Sequence, residues 1–414
     1  MSPRVAVVTR VFDPSGRRPD TLAVRGGLVR TEFEETAEGL FLTQGYVYPR
    51  AADAEAAFAG ELDRYVYSRY GNPTITTFEE RLRLMEGAEA CYATATGMAA
   101  VFVTLAALAA RPGARIVAGR ALFGSTVVVL NEILGGYGVR TDYVDAHRLE
   151  SWAEALATPA DVVFLETPSN PMLDIVDVAE VTRLAHAAGA VVVVDNVFAT
   201  PILQRPLELG ADVVVYSATK HIDGQGRVMG GAILGPREFV DGRVTTLIRN
   251  TGPSMSAFNA WVLLKGLETL ALRVRAQSAA ALRLAQWLQG RSEVVDVRYP
   301  FLDSHPQVGL AKAQMESGGT VVTFTLGVPA GSDDAAAKAR TFAFLDALRL
   351  IDISNNLGDA KSLITHPPTT THRKVGAEGR RLVGISESTV RLSVGLEDVE
   401  DLMDDVAQAL EQSS

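Results

Sequence analysis

Between Cys91 and Tyr216 the chain repeats one pattern: a short apolar, β-branched run, then a stretch with helical spacing. The runs predict strands at Cys91–Thr96, Arg115–Ala118, Val139–Val144, Asp161–Glu166, Ala190–Asp195 and Ala211–Tyr216. Helical stretches follow from Gly97 to about Ala110, Gly124 to Leu134 and roughly Val178 to Ala188. Strands alternating with helices predict a mostly parallel sheet joined by right-handed crossovers. In such a sheet both faces are covered, so the strands read as continuous apolar runs. Parallel pairing also sends every carboxyl end to one edge, where α/β proteins bind ligands. Asn170, Asp195 and Lys220 all fall on that edge.

Val213-Val214-Val215-Tyr216 stops in Ser217-Ala218-Thr219-Lys220. A lysine beside a hydrophobic strand end is desolvated, which favours its neutral amine. A neutral amine can form a Schiff base, and the hydroxyls of Ser217 and Thr219 can hold a phosphate. An aldehyde that carries a phosphate is pyridoxal 5′-phosphate (PLP). PLP chemistry further needs a carboxylate at the pyridine nitrogen, a phosphate cradle and an aromatic ring over the pyridine face. Asp195, the helix start at Gly97 and Met98, and Phe123 are the candidates. The helix start suits an anion because its free N–H groups and dipole both point outward.

The remaining composition narrows the partners. A net charge of −10 without a basic stripe argues against nucleic acid. A single cysteine, Cys91, forms no internal disulfide and fits a reducing, cytoplasmic setting; it reads as a small buried apolar residue. Six dispersed histidines without ligand spacing predict no metal site. No apolar run is long enough to span a membrane, and the N-terminus lacks a signal-peptide core.

With 414 residues, more than one core is expected. Residues 1–20, with several prolines and arginines, read as a mobile leader, and Thr21–Pro73 as irregular chain. Residues 1–75 are expected to form an arm against a partner subunit, 76–270 a large domain, and 271–414 a smaller C-terminal α/β domain. Helical periodicity covers Thr76–Glu86. Val228–Leu234 reads as a returning strand, and Ser256–Leu288 as one long helix linking the domains. Further strands are predicted near Val294–Val297, Thr320–Leu326 and Thr389–Val394, with helices near Asp333–Leu348 and Val399–Gln412.

Several motifs carry a family resemblance: Tyr67-Ser68-Arg69-Tyr70-Gly71-Asn72-Pro73-Thr74, Gly97-Met98-Ala99, Glu166-Thr167-Pro168-Ser169-Asn170-Pro171, Asp195-Asn196-Val197-Phe198-Ala199-Thr200-Pro201, Ser217-Ala218-Thr219-Lys220 and Arg391-Leu392-Ser393-Val394-Gly395-Leu396-Glu397. From about Thr21 to about Ala409 the chain resembles the PLP-dependent Cys/Met metabolism, or trans-sulfuration, enzymes. That resemblance implies a fold-type I, aminotransferase-like PLP transferase, built as a dimer and usually doubled into a homotetramer. It also implies roles. Lys220 carries PLP and moves protons, Asp195 pairs with the pyridine nitrogen, and Gly97, Met98, Ser217 and Thr219 bind the phosphate. Tyr67 and Arg69 reach the phosphate of the neighbouring subunit. Asn170, Asn356 and Arg391 face the substrate, with Arg391 holding its α-carboxylate.

Three departures point to one branch of that family. Phe123 stands where lyases and cystathionine synthases usually carry tyrosine. Lys361 stands where γ-lyases and cystathionine γ-synthases usually carry glutamate. The segment after Lys220 reads His221-Ile222-Asp223-Gly224-Gln225-Gly226-Arg227. Together they resemble the sulfhydrylases of O-succinylhomoserine, which replace the γ-acyl group with sulfide to give homocysteine for methionine biosynthesis. O-acetylhomoserine sulfhydrylase, cystathionine γ-synthase and γ-lyase activities remain the alternatives. Arg227, and after it Lys361, is the expected cation for a succinyl carboxylate, against the plainer reading of Arg227 as a structural ion pair.

Overall fold

The computed structural model describes residues 10–329 and 331–413. Seven strands form the larger sheet: β1 (Ala90–Thr94), β2 (Arg115–Gly119), β3 (Arg140–Val144), β4 (Val162–Glu166), β5 (Val191–Asp195), β6 (Val213–Ser217) and β7 (Gly231–Gly235). Their order is β1-β7-β6-β5-β4-β2-β3. Strands β2 to β6 pair in parallel, and β7 runs antiparallel between β6 and β1. The valine-rich runs suit this sheet because both of its faces are dry. Val162, Phe164, Val193 and Val215 enter one core with Val101 and Leu105, whereas Val163, Leu165, Val192 and Val194 enter another with Trp152 and Val178. Alternate residues thus point to opposite, equally apolar sides.

Two helices flank the amino end of this unit. Helix α1 (Pro73–Glu86) starts at the Asn72 side chain, which accepts the Thr74 N–H at 3.0 Å, and ends at Gly87 with φ +78°. Asn72 is therefore a helix cap, with Pro73 at the first helical position. Helix α2 (Gly97–Ala109) follows β1 directly, with the Thr96 hydroxyl accepting the Ala99 N–H at 3.0 Å.

A smaller sheet holds β8 (Val294–Arg298), β9 (Val321–Leu326), β10 (Asp352–Ile353), β11 (Leu363–Thr365) and β12 (Thr389–Ser393), in the order β8-β9-β12-β11-β10. Its core joins Phe324, Phe344, Ile364 and Leu392 to the C-terminal helix Val399–Gln412.

The connection between the sheets is not one helix. α3 (Ala257–Glu268) and α4 (Leu270–Gln289) meet at Thr269. There the Gly266 carbonyl turns aside to accept the Arg273 guanidinium at 2.9 Å, which breaks the ladder without any glycine or proline after Gly266 to announce it. The helix predicted at Gly124–Leu134 also changes character, from α to a wider π turn at Val129–Leu134.

The leader expected to be mobile is structured over its described residues, from Arg10 on. Residues 1–9 lie outside the described chain. Arg10–Val11 pairs antiparallel with Val29–Arg30, and a helix at Pro19–Arg25 buries Leu22 and Ala23 beside Phe78 and Leu82 of α1. The stretch read as irregular also contains a helix at Ala51–Phe58, with no buried residue. Arg81 is fully buried, donates to the Gly26 carbonyl at 2.8 Å and pairs with Glu38, so this segment is fastened to α1 by charge as well as packing. The Cys91 thiol is only partly buried by its neighbours on the surface of that core, and desolvation pushes its pKa up.

Candidate active site

A cleft of about 210 Å³ opens at the carboxyl edge of the larger sheet. It is lined by Glu166 at the end of β4 and Asn170 in the turn after it, by Asp195 at the end of β5, and by Ser217 at the end of β6 with Thr219 and Lys220 in the turn that follows. The start of α2 adds Gly97 and Met98, the loop after β2 adds Phe123, and the smaller sheet's side adds Asn355, Leu357 and Arg391. Residues more than 170 positions apart in sequence are thereby brought round one lysine.

Burial, and then the Arg391 cation, lowers the Lys220 amine from its ordinary value to about 8. Its Nζ donates to Asn356 Oδ1. Asn356 is thus in direct contact with the lysine, although its neighbours Asn355 and Leu357 supply more of the cleft wall. Arg391, buried to 1% exposure, donates to Asn170 Oδ1 (3.0 Å) and to the Asn355 carbonyl (2.8 Å). Its Nε is buried with no hydrogen-bond partner among the described residues. A buried orphan donor on a guanidinium calls for an acceptor such as a carboxylate. Desolvation lowers the Arg391 pKa to about 10, and Glu166 opposes that shift.

Asp195 accepts the Val197 N–H at 3.1 Å, and burial pushes its carboxyl up to about 7. No ion pair engages it among the described residues, so it stands ready for a cationic N–H from a ligand. Asn170 lines the same cleft with its Oδ1 held by Arg391. The Asn170 carbonyl accepts from His372 Nε2 (3.1 Å), an imidazole that burial keeps neutral at pH 7 by lowering its pKa to about 4.

The α2 start is cut to fit. A Cβ on Gly97 would stand 2.5 Å from the Ser217 Cβ, so only glycine lets the helix N–H groups come this close to the β6 end. Ser217 lies against that glycine. The Thr219 hydroxyl donates to the Gly230 carbonyl (3.2 Å) and accepts the Gly230 N–H (3.1 Å), which ties the β6 end to β7.

This donor set fits PLP. The desolvated amine, the buried unpaired carboxyl, the helix start and the phenyl ring of Phe123 surround one cavity. The family model described as Cys/Met metabolism PLP-dependent enzyme matches residues 20–411. The chain belongs to this family. It is 63% identical over 397 residues to an O-succinylhomoserine sulfhydrylase of Mycobacterium tuberculosis, covering 96% of this chain and 97% of that protein. A Pseudomonas aeruginosa protein of the same name is 46% identical over 398 residues, covering 96% of each. The crystal structure of cystathionine gamma synthase from Xanthomonas oryzae pv. oryzae in complex with cystathionine superposes with a TM-score of 0.89 at 33% identity, covering 96% of this chain and 99% of that one. The trans-sulfuration fold and the PLP cofactor follow from this membership.

Tyr67 and Arg69, expected at a neighbouring subunit's phosphate, do not line this chain's own cleft. The Arg69 guanidinium lies 5.4 Å from the Tyr67 ring centre and 4.9 Å from that of Tyr70. Arg227 is committed to Asp223, which is fully buried: Nε reaches Oδ1 at 3.0 Å and the backbone N–H reaches Oδ2 at 2.7 Å. This is the structural ion pair, not a free cation at the cleft. Lys361 is 64% exposed and only loosely paired with Asp359 at 3.4 Å.

Glu166 had a place in a motif but no assigned role. Paired in register with Asp195, it accepts the Phe123 N–H at 3.0 Å and so fixes the backbone of the ring that faces the cleft. Burial and then the Asp195 charge hold its carboxyl well above the usual range. Its position at the end of a buried strand, four residues before Asn170, is the signal that could have marked it.

The lowered amine gives a direct check. In the cofactor-free protein, amine-selective labelling of Lys220, followed residue by residue, is expected to rise with a midpoint near pH 8. A midpoint at the ordinary 10.5 contradicts the desolvated environment.

Proposed function

We propose that the chain converts O-succinyl-L-homoserine and sulfide to L-homocysteine and succinate, a γ-replacement in methionine biosynthesis. The similarity to the Mycobacterium tuberculosis sulfhydrylase across nearly the whole of both chains carries this reading. Phe123 and Lys361 support it.

PLP, when bound, supplies a protonated ring that takes up electrons from bonds breaking beside it. Lys220 would hold it, Asp195 would keep its ring nitrogen protonated, and Phe123 would pack against its ring. Gly97, Met98, Ser217 and Thr219 would hold its phosphate. Arg391 and Asn170 fix the substrate α-carboxylate, with Asn356 beside them. The Lys220 amine would move the protons at Cα and Cβ. The Cγ–O bond then breaks, succinate leaves with that oxygen, and sulfide forms the new Cγ–S bond. Phe123 brings no hydroxyl, so proton transfer at that face falls to Lys220 alone. Sulfide is small and already nucleophilic, and needs no wide second pocket.

We further read residues 1–75 as an arm whose Tyr67 and Arg69 complete the phosphate site of a neighbouring subunit in a homotetramer built of dimers. Their absence from this chain's own cleft and the exposed Phe33, Leu42, Val47 and Phe58 support this. The cytoplasm is the compartment that fits a single free thiol. No helix among the described residues is long and apolar enough to cross a membrane.

The purified protein with O-succinylhomoserine and sulfide is expected to yield homocysteine. Ammonia and a 2-oxo acid without added sulfide, or cystathionine formed from cysteine in preference, overturns the assignment. Lys361, from the loop after Leu357, is the freer cation for the succinyl carboxylate. Removing Arg227 instead leaves Asp223 buried without its partner. An exposed pairing is weak, so Lys361→Met should lower kcat/KM for the succinyl ester about two- to tenfold and spare O-acetylhomoserine. An equal loss for both esters denies Lys361 that role.

The shared site has its own test. Mixing inactive Arg69→Ala and inactive Lys220→Ala subunits should restore part of the activity. No recovery after proven subunit exchange refutes the arm's role.

A further inference from the structure

Helix α4 carries two buried polar side chains one turn apart, Arg273 and Gln277, on the same face. Arg273 grips the turn that holds Lys220. Its Nη1 donates to the His221 carbonyl at 2.8 Å, and its Nη2 to the Gly266 carbonyl at 2.9 Å, with the Ile222 carbonyl at 3.4 Å. Nε donates to the Thr269 hydroxyl at 3.1 Å. No carboxylate lies within ion-pair distance of Arg273 among the described residues, so backbone carbonyls and one hydroxyl solvate the charge. The turn is shaped to admit it: a Cβ on Gly224, where φ is +65°, would stand 1.9 Å from Nη1. A Cβ on Gly266 would stand 2.1 Å from the Ile222 carbonyl oxygen.

Gln277 grips the opposite wall. Its Nε2 donates to the Asp359 carbonyl (2.8 Å) and the Val394 carbonyl (3.0 Å). Asp359 closes the loop that carries Asn356 and Leu357, and Val394 follows the strand that carries Arg391. The two walls also touch directly, through the Ala360 N–H to the Gly224 carbonyl at 2.8 Å.

We propose that Arg273 and Gln277 are paired positioning residues that use α4 as a fixed spacer, Arg273 setting the Lys220 turn and Gln277 setting the substrate-carboxylate wall against it. The separation of Lys220 from Arg391 is then fixed by one helical turn. This rests on the reading of Lys220 as the cofactor lysine. If that reading fails, the wild-type protein shows no lysine-bound PLP absorbance, and the failure is visible before any variant is compared.

The test compares Arg273→Met, Arg273→Lys, Gln277→Met and the Arg273→Met/Gln277→Met pair, each as the full chain loaded with PLP. The readouts are PLP affinity and the pH midpoint of its visible absorbance, alanine binding by absorbance, kcat and KM, and thermal unfolding. Arg273→Met should weaken PLP binding about tenfold and move the pH midpoint, because the lysine turn loses its charged clamp. Arg273→Lys keeps the charge but cannot bridge the same carbonyls, and should show the same changes to a smaller degree. Gln277→Met should raise KM and weaken alanine binding about tenfold with PLP affinity unchanged. The double variant should deviate from additivity in KM. Variants that unfold earlier but keep wild-type PLP affinity, pH midpoint and KM overturn the proposal, as do single variants that change the same parameters equally. Should Arg273→Met fail to fold, Arg273→Lys decides: an unmoved midpoint and PLP affinity overturn the role of Arg273.

Discussion

The parallel register of β4, β5 and β6 is the constraint from which the cleft follows. Glu166 pairs with Asp195, and Asp195 with Val215, two residues before Ser217, so the polar ends of three dry strands emerge at the same edge. Both faces of these strands are packed, which leaves their carboxyl ends as the place where polar groups can gather. Gathering them there has a cost: Lys220, Asp195 and Glu166 are all desolvated, and each shifts toward its neutral form. A cofactor that brings an aldehyde and a protonated ring nitrogen answers the first two of these demands.

The second wall comes from the smaller sheet. Arg391 is held by Asn170 across the cleft and by the Asn355 carbonyl on its own side, so the guanidinium is fixed before any substrate arrives. Fixed in advance, it loses little conformational freedom on binding a carboxylate. Its cation in turn contributes to the low pKa of Lys220. Arg391 and Lys220 are therefore electrostatically linked across the cleft.

The sheet and the lysine were legible because their signals are local. Valine-rich runs bounded by small polar residues mark buried parallel strands, and the strand ends supply Asp195, Ser217 and Lys220 directly. Contacts made at long range left no such mark. Nothing near Thr269 announces a break, because the Gly266 carbonyl there is taken up by Thr269 and by the Arg273 guanidinium of the next helix. The segment before Pro73 read as irregular because Arg81, Glu38 and Lys265 fasten it from widely separated positions. Arg227 offered a charge beside the lysine, but its partner Asp223 lies four residues away, and only the fold shows that this pair closes on itself. Glu166 was hidden differently: its hydrogen bond to the Phe123 N–H spans two strands that no spacing rule joins.

Sodium borohydride reduction of the PLP-loaded protein, followed by proteolysis and mass spectrometry, tests the central claim most directly. The account predicts a pyridoxyl group fixed to Lys220. A pyridoxyl group on another lysine, or PLP that binds but cannot be trapped on any, contradicts it.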